Sequence, residues 1–160
     1  MEVRIENIAE IKLAGMKTFM QMSDNKTFEL WHKFMSNKKY IHNNISEDLY
    51  SIQIFNPELK LENFNQNTYF TKWAAISVDD FELIDPNFEK LIISKGLYAT
   101  YLFKGTPNLF PASFHQFTTN WLIPSKYRID DRPHFQVMGK NYRNDDPNSE
   151  EMVFIPIKLK

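Results

Sequence analysis

The sequence predicts an α+β fold built from two β-α-β-β modules related by a pseudo-twofold axis, with a cleft where they meet. Three observations predict it. Short runs rich in β-branched and aromatic residues alternate with two segments of helical periodicity. The order strand, helix, strand, strand occurs twice, and the interval from Gly15 to Gln53 nearly equals that from Gly96 to Gln136. A chain of 160 residues is the length of one ordinary domain, so the expected organisation is a single unit over 1–160, with module 1 at about 1–80 and module 2 at about 88–160.

Each element follows from its residues. Lys12 to Met22 (KLAGMKTFMQM) is an extended, mostly apolar run and reads as a strand. Ser23, Asp24 and Asn25 are cap-type residues, and behind them Phe28, Trp31 and Met35 recur at i, i+3 and i+7, one face of a helix. Tyr50 to Phe55 and Trp73 to Val78 are the next two strands, separated by an Asn-rich loop that contains Pro57. Phe81 to Asn87 connects the halves. Leu97 to Phe103 opens the second half, and Phe110, Phe114, Phe117 and Trp121 share a helical face that Pro124 terminates. His134 to Met138 and Met152 to Ile157 supply the closing strands, the last expected to be an edge strand or to end at Pro156.

Composition narrows the function. Hydrophobic residues make up 42% and aromatics 15% of the chain, enough to fill a core and also line a cavity. A net charge of -1 without long charged runs leaves no electrostatic footprint for a phosphate backbone, so no direct nucleic-acid partner is expected. The absence of cysteine excludes thiol catalysis, disulfides and thiolate metal sites. The N-terminal MEVRIENIAE lacks an apolar core of the signal-peptide kind, and no stretch approaches a membrane span, so a cytoplasmic location is expected.

A search for catalytic patterns is equally restrictive. Four glycines, at 15, 96, 105 and 139, build neither a GxGxxG nor a Walker phosphate loop. His32, His42, His115 and His134 show no metal-ligand spacing, and there is no GxSxG elbow. No cofactor and no metal are expected. The neighbouring acids Asp79–Asp80, Asp130–Asp131 and Asp145–Asp146 lie near prolines and read as turn residues, and Glu150–Glu151, just before an apolar run, equally as ordinary solvated charges, because adjacent side chains on a strand point to opposite faces and cannot flank one reacting bond. On the final hairpin, alternation puts Phe135 and Val137 on one face and His134, Gln136 and Met138 on the other.

The segments GLYATYLFKG (96–105), NWLIPSKYRIDDRPHFQVMGKNY (120–142) and FIPIKLK (154–160), in that order, resemble the GyrI-like or AraC-type effector-binding domain family, with NKTFELWHKFM and KWAAISV similar to stand-alone members in the first half. The resemblance implies a duplication of the GyrI-like (SHS2) module and a cleft that takes small, often cationic aromatic compounds, as in multidrug-binding and transcription-regulating members. It also implies a buried glutamate in the strand matched here by HFQVM; this chain carries Gln136 in its place, and Met138 where a tyrosine is frequent. The amide hydrogen-bonds but carries no charge. The candidate ligand-binding residues are Gln136, Trp73, Tyr98, Met138, Phe154, Trp31, Trp121 and Gln53. The expected function is non-catalytic binding of a small amphipathic or aromatic molecule by a chain without its own DNA-binding domain, any transcriptional role needing a protein partner. Two alternatives stand beside it: a hydrolase of cyclopropane-type toxins, in which Glu29 or Tyr98 replaces the missing carboxylate base, and a protein-binding inhibitor module.

Overall fold

Nine strands, all paired antiparallel, curl into a half-barrel sheet that carries two helices on one side; the structure, a computed structural model, describes all 160 residues. The elements run β1 (Arg4–Ile8), β2 (Ile11–Met20), α1 (Thr27–Asn37), β3 (Asn44–Ile54), β4 (Phe70–Val78), β5 (Glu89–Ile93), β6 (Gly96–Lys104), α2 (Phe110–Phe117), β7 (Tyr127–Ile129), β8 (His134–Met138) and β9 (Glu150–Leu159). In space the order is β1-β6-β9-β8-β3-β4-β2-β5, with β7 beside β9. This order is symmetric about the β3–β8 pair, since β8-β9-β6 on one side matches β3-β4-β2 on the other. The outer strands are exchanged: β1 leads into β2 but pairs with β6, and β5 leads into β6 but pairs with β2. Two short connections therefore tie the ends of the strand order together, which curls the sheet.

The sheet has one face under the helices and one face turned inward. On the helix side, Leu30 and Phe34 of α1 pack on Ala14, Met16, Ala74 and Ile76, where the alanines let the helix approach closely. Phe117 and Leu122 cover Tyr101, Val153 and Ile155, with Phe117 stacked on Tyr101 at 5.6 Å. The inner face holds a third cluster, Leu13, Ile52, Trp73, Ala75, Ile93, Tyr98 and Phe135, against which Phe154 stacks on Phe135 at 4.5 Å. Gly15 lies within β2 because a Cβ there would sit 2.2 Å from the Ala74 carbonyl oxygen. Gly96 opens β6 at φ +154° with the Arg132 guanidinium where a side chain would be.

Four expectations are corrected. The buried face of α1 is Leu30 and Phe34 with Trp31 packed beside them, while Phe28 is 79% exposed and Met35 is exposed too; the spacing was helical, but of the i, i+3, i+7 set only Trp31 reaches the core. β9 is an interior strand that continues through Pro156 to Leu159. Pro156 is tolerated because its nitrogen points to the gap where pairing passes from β8, which covers Met152–Phe154, to β7, which covers Ile157–Leu159. β1, β5 and β7 extend the expected strand set, and the second helix continues past Phe117 as a π-type turn, Thr118–Leu122. Finally, Gln136 lies opposite Ser51, not Gln53. If the Ile8–Gly96 pairing of β1 and β6 is matched with the Ile93–Ile11 pairing of β5 and β2, then Ser51 corresponds to Gln136 and Lys72 to Glu151.

Candidate functional site

The symmetric centre of the sheet carries polar residues where a core would normally be apolar. Ala74 and Ile76 lie beneath α1, and Val153 and Ile155 beneath α2, so alternation puts Lys72 and Glu151 on that same helix-side face. Register then brings Lys72, Gln53 and His134 into one row across β4, β3 and β8, with Ala74, Ser51, Gln136 and Val153 in the next. Gln136 is 6% exposed; Ser51, His134 and Met138 are also buried. The floor between the modules is thus a covered patch of hydroxyl, amide and imidazole groups.

Its hydrogen bonds leave capacity unused. Gln53 Nε2 donates to Gln136 Oε1 at 3.1 Å and to Ser51 Oγ at 3.3 Å, while the Gln136 amide nitrogen donates to no protein group. An amide pair of this kind holds the two central strands in register, because losing one buried partner strands the other. His134 stands edge-on to Phe55 at 5.0 Å, and Phe55 also meets Phe64 and Phe70, which gives the polar floor an aromatic flank.

Burial sets the charge states. It pushes the His134 imidazole down to about 3, so the floor is uncharged at that point near neutral pH. It pulls the Lys72 ammonium down to about 8, with Glu151 opposing the shift, and it raises the Glu151 carboxyl, with Lys72 opposing that one. Tyr101, pushed up to about 12 chiefly by burial, and Tyr142, raised for the same reason, both feel the Glu151 charge.

The eight candidate residues do not form one constellation. Gln136, Gln53 and Met138 meet on the helix-side floor. Trp73, Tyr98 and Phe154 lie on the opposite, inner face. The Tyr98 hydroxyl donates to the Pro133 carbonyl at 2.8 Å, and the Arg132 guanidinium lies 4.7 Å over its ring while bonding Asp130 and the carbonyls of Leu97 and Ile157. These are fastenings of the fold. Trp31 stands edge-on to Phe34 and Trp121 stacks on Phe117, so both brace a helix against the sheet. Sequence reasoning put His134 on the face of Gln136 but missed Lys72, Glu151 and Ser51 as members of the same floor. The period-2 alternation within KWAAISV and EEMVFIPI contained the face of Lys72 and Glu151, but their proximity depends on strand order. A separate groove of about 460 Å³, lined by Glu10, Ile11, Lys12, Tyr50 and Asp79 among others, opens at one end of the inner face.

A family model, the GyrI-like small molecule binding domain, matches residues 1–158, and the chain belongs to this family. Among solved structures it is similar to SAV2435 bound to tetraphenylphosphonium (TM-score 0.70, 13% identity, covering 99% of this chain and 94% of that one). It is also similar to the EcmrR C-terminal domain (TM-score 0.70, 12% identity, 99% and 98% covered) and to a hydrolase from Listeria innocua (TM-score 0.57, 8% identity, 98% and 92% covered). At such identities the likeness is one of fold. No curated protein matches the chain. No helix is long and apolar enough to cross a membrane.

Proposed function

We propose that this chain binds a small molecule reversibly and without chemistry, at the helix-side floor centred on Gln136. The observation that carries this reading is the part-buried amide pair Gln53–Gln136 at the junction of the two modules, with the Gln136 amide nitrogen left without a protein partner, in a member of a small-molecule-binding family. An unspent donor in a largely buried site is a directional contact for an acceptor on a ligand, and the flank of Phe55, Phe64 and Phe70 supplies apolar surface beside it.

The hydrolase reading has less support. Glu29 is exposed in the first turn of α1, and the Tyr98 hydroxyl is engaged with Pro133 on the far face. Neither stands where a base next to Gln136 is needed. The binding proposal is tested by titrating the intrinsic fluorescence of Trp31, Trp73 and Trp121 against a panel of neutral, cationic and anionic aromatic compounds. Saturable binding that Gln136→Phe abolishes in a variant with native circular dichroism is the expected result. Silence across the panel from folded protein refutes it, as does binding that Gln136→Phe leaves unchanged.

A further inference from the structure

Resting on the reading of the floor as the ligand site, we propose that its ligand is a zwitterion, with an anionic group toward Lys72, a cationic group toward Glu151 and an acceptor for the Gln136 amide between them. The two charges sit at corresponding places of the symmetric sheet, Lys72 on β4 and Glu151 on β9, with β3 and β8 between them. Three inter-strand steps of about 4.8 Å separate those strands and the register sets the two residues four positions out of line, so their backbones lie roughly 20 Å apart, an interval that the two side chains reaching toward each other reduce to ligand size.

They do not neutralise one another by contact. Six ion pairs occur in the molecule, and neither Lys72 nor Glu151 takes part in any of them. Neither side chain makes a hydrogen bond to another protein group, although both are half-buried and sense each other's charge. A half-buried ammonium and carboxylate that lie on one face of the sheet without touching present a dipole. A ligand with a single charge gains at one end and is repelled or left uncompensated at the other, whereas a zwitterion satisfies both. The neutral His134 and the amides between them add no net charge to upset that balance.

The test uses three compounds on one ring: 4-(aminomethyl)benzoate, its cationic methyl ester, and the anionic 4-methylbenzoate. Binding is measured by calorimetry and by amide chemical shifts on the intact chain at neutral pH. The expected result is that the zwitterion binds at least roughly tenfold tighter than either singly charged compound. Lys72→Met should then remove its advantage over the ester, and Glu151→Gln its advantage over 4-methylbenzoate, in variants that keep native circular dichroism. Binding of the ester or of 4-methylbenzoate as tight as that of the zwitterion overturns the charge assignment and leaves the floor as a binding site. A preference that survives both substitutions overturns it as well. Failure of all three compounds to perturb Gln53 or Gln136 counts against the floor itself, and the charge assignment falls with it.

Discussion

The two faces of the central strands are made of opposite materials. The inner face is aromatic and fastened: Trp73, Tyr98 and Phe135 are all but inaccessible, Phe154 stacks on Phe135, and Tyr98 is locked by Pro133 and Arg132. The helix-side face of the same strands carries buried Ser51, His134 and Gln136 and half-buried Gln53, all polar, with Lys72 and Glu151 at its margins. A sheet gains most from burying apolar side chains, so the polar face contributes less to stability than an apolar one of the same area. Aromatic content made Trp73, Tyr98 and Phe154 candidates for ligand contact; they pack into the inner face instead, and the ligand site proposed above is the polar floor.

The largest effect expected from this contrast comes from the inner face. Phe135→Ala removes a ring stacked on Phe154 and edge-packed on Tyr98, and should cost about 3–5 kcal/mol of unfolding free energy in urea titrations. A loss below about 1 kcal/mol would show that the inner face is loosely packed and would reopen it as a cavity. Next in size is a charge placed on the floor. Gln136→Glu should raise affinity for tetraphenylphosphonium by about 2–3 kcal/mol, with binding that strengthens as pH rises through the new carboxyl group's pKa. Unchanged cation affinity would mean that Glu151 already supplies the negative charge or that the ligand bypasses Gln136.

A third effect, on pH dependence, concerns His134. Its folded-state pKa is depressed to about 3 from 6.5, so the folded form resists protonation and the unfolded form takes up the proton first. Stability should therefore decline as pH falls from about 6.5 toward 3, by up to one proton's worth of slope. His134→Asn should flatten that decline in urea titrations between pH 4 and 7. The raised carboxyl of Glu151 works in the opposite sense, favouring the folded form as pH falls, so the comparison must be made between wild type and variant at each pH. Identical slopes would place the imidazole in contact with water.

Much of the fold was legible because alternation and helical spacing act locally. The face assignment of HFQVM followed from period 2 alone, and the second helix followed from Phe110, Phe114, Phe117 and Trp121. What local patterns do not contain is strand order. Whether Trp73 and Gln136 share a face depends on how β4 and β8 are joined through β3, and the register Ser51–Gln136 is set by the packing of both modules, not by either segment. Pro156 misled for a related reason: its missing N–H is harmless only because β8 ends where β7 begins. The partnership of Lys72 with Glu151 was unreadable on the same ground, since the two residues are nearly a module apart in sequence.

The smallest expected effect on stability separates the two faces most sharply. Gln53→Leu alone removes the donor to Gln136 Oε1 and leaves a buried acceptor unpaired, at a cost of about 1–3 kcal/mol. Gln136→Leu alone should cost less, because the half-buried Gln53 amide keeps its bond to Ser51 Oγ. The double variant replaces both partners with apolar groups of similar size, so its stability should return to within about 1 kcal/mol of wild type, read from urea midpoints. Ligand affinity should not return with it, because the unspent amide nitrogen of Gln136 is gone. Recovered stability with lost binding would identify the amide pair as retained for recognition. If binding recovers too, or if the double variant is less stable than either single one, the polar floor is a structural network and the ligand binds elsewhere, the groove beside Tyr50 being the next surface to examine.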